Sequence, residues 1–369
     1  MLKNKNILFL TLKVFSATGG IEKVCRVAGK VFYEWSAINN TKVHVYSMYD
    51  KQHNSDENQY FPSEIFKGFG TAKVKFILSA LKDASKYEVI ILSHINLLLA
   101  GWLIKKYYPQ KKIILFAHGI EIWGKLSKQK SMMIKCCDKF LPVSSYTSEK
   151  IKQVHNISPD KCIVLNNCLD PFMPLGKEFI GKTDLRRRYG YKPEDKILFT
   201  LTRLSSKERY KGYDKVLYAM VNVKKKHPHL KYLIAGSYDE NEFTFITELS
   251  KKLGLADSLI LAGFIPDKEL VAHFSFADIY IMPSMKEGFG IVFIEAMFYG
   301  LHAIGGNKDG TVDALKNGEL GLLVNPEDLN EIEDAINKCL NNDFVIEQQK
   351  GILLDNFSYE NYKHKFEKI

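Results

Sequence analysis

Ile279-Tyr-Ile-Met-Pro-Ser-Met-Lys-Glu287-Gly-Phe-Gly290-Ile-Val-Phe-Ile-Glu295-Ala-Met-Phe-Tyr-Gly300 decides the architecture of this 369-residue chain. Ile279–Met282 is an unbroken apolar run of strand length. Pro283 and Ser284 turn the chain, Gly288 and Gly290 loosen it, and Phe289–Tyr299 carries a helical pattern. A continuously apolar strand followed by a helix belongs to a parallel sheet covered on both faces. In such a sheet ligands bind beyond the carboxyl ends of the strands, where this glycine-rich loop lies.

The same alternation runs outward in both directions. One series of apolar runs is Ile7–Leu12, Val43–Ser47, Val89–Leu92, Ile113–Phe116, Phe140–Val143 and Ile163–Leu165. A second is Ile197–Leu201, Tyr232–Ala235, Leu259–Leu261, Ile279–Met282 and Gly321–Val324. Amphipathic segments such as Glu22–Trp35, Tyr213–Lys226 and Asn241–Leu253 separate them. Residues 168–195 break the rhythm with Pro171, Pro174, Gly176, Gly181, Gly190 and Pro193, which places a domain boundary near residue 178. The expected fold class is α/β: two Rossmann-like domains, 1–178 and 179–356, with parallel sheets facing across a cleft. Phe357–Phe366 reads as a short amphipathic helix with its aromatics inward.

Composition narrows the function. Hydrophobic residues make up 46% and charged residues 25%, as in an ordinary soluble protein. Lys plus Arg is 52 against 42 Asp plus Glu, a net charge of +10 that favours phosphorylated ligands and anionic surfaces. No nucleic-acid module signature occurs, so no nucleic-acid partner is expected. Six cysteines without a Cys-x-x-Cys suggest a reducing compartment. Lys13 interrupts the apolar run after Lys3 and Lys5, and no small-x-small cleavage site follows, so a first strand is a better reading than a signal peptide. Val89–Ile104 contains His94 and Asn96, is broken by Gly101, and is too short to span a bilayer. A cytoplasmic protein is expected, able to meet the inner membrane face peripherally.

Five places carry candidate chemistry. Gly19 and Gly20, after the first strand, allow a tight turn and expose a helix N-terminus, although such a turn serves equally as a plain connection. His118 closes the fourth clear strand and can exchange a proton near neutral pH, although a lone histidine is often structural. Arg203 and Lys211, after the first strand of the second domain, suit a diphosphate; their alternative is a solvated basic loop. The amides of Gly288, Gly290, Ile291 and Val292 suit a phosphate. Glu287 can accept from sugar hydroxyls, and Glu295, two turns into the helix, from a ribose diol. The fifth, Gly305–Thr311, is a flexible loop after the next strand.

Together, EGFGIVFIEAMFYG at 287–300, RLSSKERYKG at 203–212, LIAGS at 233–237, LAGFI at 261–265 and NGELGLLVNPEDL at 317–329 resemble the family-4 retaining glycosyltransferases of GT-B fold, over nearly the whole chain. The resemblance implies a nucleotide sugar donor whose diphosphate is held by Arg203 and Lys211. It implies Glu287 on the donor sugar, helped by the Phe289 and Gly290 amides, Glu295 on the ribose, and Gly263, Phe264 and Ile265 beside the base. Gly19 and Gly20 would shape the floor, and His118 would position or assist the reacting centre. The last helix, 357–369, would cross back to the first domain. The implied acceptor is a glycan or lipid-linked, with peripheral contact to an anionic membrane. His302 stands where many relatives have Pro, and GGNKDG where many have Gly-Gly-x-x-Glu. Arg203, Lys211 and the helix amides offset phosphate charge, and no Asp-x-Asp occurs, so neither metal nor cofactor is expected. The alternative is a nucleotide-sugar epimerase or a sugar phosphorylase on a similar fold.

Overall fold

The computed structural model describes residues 4–55, 58–174, 182–343 and 349–369. Among the described residues twelve strands form two sheets of six, all pairings parallel. The first holds β1 (Ile7–Thr11), β2 (Val43–Ser47), β3 (Phe66–Gly68), β4 (Val89–Leu92), β5 (Lys112–Ala117) and β6 (Lys139–Pro142). The second holds β7 (Lys196–Leu201), β8 (Leu230–Ala235), β9 (Leu259–Gly263), β10 (Ile279–Met282), β11 (His302–Gly306) and β12 (Leu322–Val324).

Their orders are β3-β2-β1-β4-β5-β6 and β12-β11-β10-β7-β8-β9. Counted within its own unit, the second repeats the first, and both are the doubly wound order of dinucleotide-binding folds. Strand order reverses between β1 and β4, and again between β7 and β10. Each unit therefore has its own topological switch point, where the loops after the two central strands part and leave a crevice. Every residue of β1, β4 and β10 is buried, as continuous apolar strands between two helical layers must be.

The chain divides into Met1–Pro171 with Ser358–Ile369, and Phe172–Phe357. The expected boundary near residue 178 lies outside the described residues. The last helix, Tyr359–Glu367, starts on Ser358, whose hydroxyl accepts from the Asn361 amide. It belongs to the first unit. The Phe366 ring meets Phe32 edge-on at 5.1 Å and Phe116 at 6.1 Å, and Lys363 bonds Glu34 at 2.6 Å.

Two local differences from the sequence reading have clear causes. Ile163–Leu165 is not a strand. Its amides still bond along the edge of β6, Ile163 N–H to Phe140 O and Leu165 N–H to Pro142 O, without forming a regular ladder. β3 was not foreseen, because Phe-Lys-Gly offers no apolar run. Among the described residues all six cysteines are free, and no helix is long and apolar enough to cross a membrane.

Candidate active site

The second unit brings most of the expected residues to one pole. Glu287 follows β10, Lys211 follows β7, and the two side chains form an ion pair. Burial works against the Lys211 ammonium, but the Glu287 carboxylate outweighs it by charge and hydrogen bond, so the pKa is raised. Lys211 is therefore a fixed cation at neutral pH. Arg203 lies on the same loop, paired with Glu208. The Tyr210 phenol lies within electrostatic reach of Glu208, Lys211, Glu287 and Arg203, and its ring sits under Lys211 and Lys286 at 5.8 and 5.6 Å. Tyr210 and Lys286 thus join the cluster, although nothing in their local pattern marked them.

The backbone explains why these loops hold their shape. The helix Ile291–Phe298 starts on Gly290, whose φ of 84° is in the left-handed region. A Cβ there would strike the Phe293 ring and the Glu287 side chain. The first amides of a helix lack intrahelical acceptors, so the Ile291 and Val292 region suits an anion. Gly212, φ 79°, lets the β7 loop touch the Pro283 carbonyl, and Met285 N–H bonds Tyr210 O at 2.9 Å. Arg209 Nε bonds both oxygens of fully buried Glu242 at 3.1 and 2.9 Å. The Tyr213 hydroxyl donates to the same carboxylate at 2.9 Å.

Glu295 is buried in the second turn of its helix. Phe289 is also buried, its ring 5.6 Å from Phe357. Gly288 lies against Gly310, whose backbone touches the Gly288 carbonyl. Gly263 ends β9 with φ 70°, and its carbonyl accepts from Gly236 at 2.8 Å. Phe264 beside it is 62% exposed, a free aromatic face, while Ile265 is buried.

The stretch Gly305–Thr311, expected to be a flexible loop, is a largely buried and bonded one: Gly305 and Gly306 end β11, and Asp309, whose role the sequence did not single out, follows in the loop. It is buried, and its carboxylate accepts from the Ser284 hydroxyl, the Glu287 amide and the Thr311 amide. A buried carboxylate bonded across 22 residues leaves no local signal.

Gly19, Gly20 and His118 belong to the first unit, where the Glu22 carboxylate lies against Gly19 and within electrostatic reach of His118. Gly19 precedes the helix Gly20–Asn39 with φ −72°, an ordinary backbone angle, and the Glu22 carboxylate folds over it. Buried Asp50 shapes this loop by accepting from Val14 N–H at 2.6 Å and Ser16 N–H at 2.8 Å. The His118 ring stacks on Phe116, 5.8 Å away and 5° from parallel. Its Nε2 donates to the Ser93 carbonyl at 2.7 Å. A carbonyl only accepts, so Nε2 carries the proton and Nδ1 is the acceptor of the neutral ring. Burial lowers the His118 pKa against the pull of Glu121, so the neutral form prevails. His94, which the sequence did not single out, is its neighbour, and burial pushes its pKa down to about 4. Among the described residues no three or more His, Cys, Asp or Glu side chains are grouped to hold a metal ion.

The family model for glycosyl transferases group 1 matches residues 181–366. The uncharacterised glycosyltransferase MJ1607 of Methanocaldococcus jannaschii is 25% identical over 226 residues, 60% of this chain and 56% of its own. The GDP-mannose-dependent alpha-(1-6)-phosphatidylinositol monomannoside mannosyltransferase of Mycobacterium tuberculosis is 26% identical over 243 residues, 62% of this chain and 60% of its own. The matches thus span less than two thirds of these curated relatives. In fold, the chain resembles Anabaena Alr3699/HepE, solved with UDP and glucose, at a TM-score of 0.78 and 17% identity, covering 99% of this chain and 98% of that one.

Proposed function

This chain belongs to the glycosyl transferases group 1, and on that premise we propose that it is a retaining glycosyltransferase. It moves a hexose-type sugar from a UDP- or GDP-linked donor to a glycan or lipid-linked acceptor in cell-envelope polysaccharide synthesis. The observation that carries this reading is the ion pair of Lys211 and Glu287, with Arg203, at the β7/β10 switch point. A raised-pKa lysine beside a carboxylate provides a cation for the leaving diphosphate and an acceptor for sugar hydroxyls on neighbouring loops.

The reaction forms the bond from the acceptor oxygen to the anomeric carbon as the anomeric bond to the diphosphate oxygen breaks. The acceptor attacks on the face the diphosphate leaves, through an oxocarbenium-like state. The acceptor's proton passes to the departing phosphate, whose charge grows along the way. Lys211, Arg203 and the amides after Gly290 stabilise that charge more in the transition state than in the ground state. Gly263–Ile265 borders the base, and Glu295 takes the ribose. Gly19, Gly20 and His118 serve the acceptor side and the reacting centre. The mycobacterial relative is named for GDP-mannose, and the Anabaena structure holds UDP and glucose; both support a nucleoside diphosphate.

Titration calorimetry with UDP- and GDP-sugars, followed by turnover with an acceptor, tests the proposal. Binding of a nucleotide sugar and transfer to the acceptor are expected. If no nucleotide sugar bound, the reading would fail; product from donor alone would point to an epimerase.

The partner membrane has a specific candidate face on the first unit. The helices Lys73–Asp83, Leu98–Tyr107 and Lys128–Met133 pack side by side on one face of the sheet. Val74 and Met132 are 73% and 53% exposed, and Leu78 and Leu99 are exposed with them. The same helices carry exposed Lys75, Lys82, Lys106 and Lys128, and the sole acid in them, Asp83, is bonded to Tyr46 and Lys86. Exposed apolar side chains on lysine-bearing helices suit a bilayer of anionic lipid. Co-sedimentation with anionic vesicles, weakened by Leu78→Asp and absent with neutral lipid, is the expected result; equal behaviour on both lipids would remove this face.

A further inference from the structure

Glu287 stands on a loop whose main chain is clamped from both sides. Asp309 is 1% exposed. Its Oδ2 accepts from Ser284 Oγ at 2.6 Å and from the Glu287 amide at 2.7 Å, and its Oδ1 accepts from the Thr311 amide at 2.9 Å. The next residue adds a second strut, the Gly310 amide donating to the Glu287 carbonyl at 2.8 Å. Both main-chain polar groups of Glu287 are therefore engaged by Asp309 and Gly310, while its carboxylate reaches Lys211.

We propose that Asp309 is a positioning residue for the donor, fixing the Glu287 backbone so that its carboxylate and the glycine-loop amides present one shape to the nucleotide sugar. The proposal rests on the glycosyltransferase reading above. It assigns Asp309 no contact with substrate.

The chemistry makes the clamp sensitive to acid. An ionised carboxylate has only acceptor sites, and three donors converge on this one. Protonation removes the charge that strengthens all three bonds, so the clamp loosens. Burial pushes the Asp309 carboxyl up to about 6, opposed by the bonds from Ser284 and Thr311 and assisted by the negative charge of Glu287. The charged groups on the packed segments are Glu287, paired with Lys211, and exposed Lys286; on its own segment exposed Lys308 precedes it and Asp313 lies in the following turn. Donor binding should therefore weaken as pH falls through that value.

The test is calorimetry of UDP and GDP on the full chain, with donor KM and kcat, at pH values either side of 6. Asp309→Asn has a single acceptor oxygen and places an NH2 group against a backbone donor. It should weaken binding ~10-fold at neutral pH and raise KM more than it lowers kcat. Its acid limb near pH 6 should vanish. Ser284→Ala removes one bond to the ionised form, so the limb should move to higher pH. If Asp309→Asn melts below assay temperature, Ser284→Ala decides alone. Wild-type affinity and pH profile in the variants, with wild-type nucleotide binding intact, would overturn the positioning role. A wild type that binds neither nucleotide at any pH sinks the donor assignment, and this inference with it.

Discussion

At the carboxyl ends of β4 and β5 the first unit places His94 and His118, two imidazoles that burial keeps neutral. At the ends of β7 and β10 the second unit places Arg203, Lys211, Lys286 and Glu287, a cluster of formal charges around one tyrosine. The sheets beneath have the same strand order. Both central loops are held by buried carboxylates as well: Asp50 grips backbone amides in the first, and Glu242 grips Arg209 and Tyr213 in the second. Topology thus locates each crevice, while the loop residues decide what it can hold. A cluster of fixed cations suits a diphosphate, while neutral imidazoles beside the Glu22 and Glu121 carboxylates suit hydroxyls.

The contrast breaks most directly at Lys211. Lys211→Ala should lower turnover roughly 10²–10³-fold with the fold retained, by the magnitude of losing one transition-state donor. Steady-state kinetics beside a thermal melt would show it, and near-normal turnover would put the two poles on an equal footing.

A second prediction sharpens the comparison through pH, because the poles respond to acid with opposite sign. His94 is depressed from 6.5 to about 4, so the unfolded chain binds its proton first, and stability is lost as pH falls through that interval. Asp309 is raised from 3.8 to about 6, so the folded chain holds its proton longer, and stability from this group falls as pH rises between those values. Each contributes a slope of up to roughly 1.4 kcal/mol per pH unit within its window. Denaturant melts of His94→Asn and Asp309→Asn against pH should change slope in opposite directions; a common direction would contradict the assigned environments.

The smallest expected difference is between two glycines. Gly290→Ala must adopt φ 84° against Phe293 and should cost about 1–2 kcal/mol. Gly19→Ala keeps an ordinary φ and meets only the movable end of Glu22, so its melt should shift less. Equal shifts would mean that the second loop is no tighter than the first.

Much of this was legible in the chain. Apolar runs marked eleven strand positions, and ten of them carry ladder pairing, because a strand buried on both faces writes a continuous apolar word. β3 escaped since its three residues include Lys67 and Gly68, and β11 was implied only as the strand before the 305–311 loop, because His302, Gly305 and Gly306 leave it little apolar run. Ile163–Leu165 misled because it bonds to β6 through the Ile163 and Leu165 amides without becoming a regular strand, and its Val164 is exposed. At the site, Glu287, Lys211 and Gly290 were visible through glycine spacing after a strand. Glu242, Asp50 and Asp309 were not. A buried carboxylate reads like a surface one until its donors are known; Arg209 and Tyr213 lie 33 and 29 residues from Glu242, and the Val14 amide 36 from Asp50.

The helix Tyr359–Glu367 sets an order of events during synthesis. Phe366 is an integral part of the aromatic packing around Phe32 and Phe116, yet it is made only after the whole of Phe172–Phe357. A growing chain must therefore hold the first sheet without its final aromatic contact while the second unit is translated. A nascent chain stalled before residue 358 would carry a complete second unit and an unsealed first one, leaving the first open to chaperones and proteases until translation resumes.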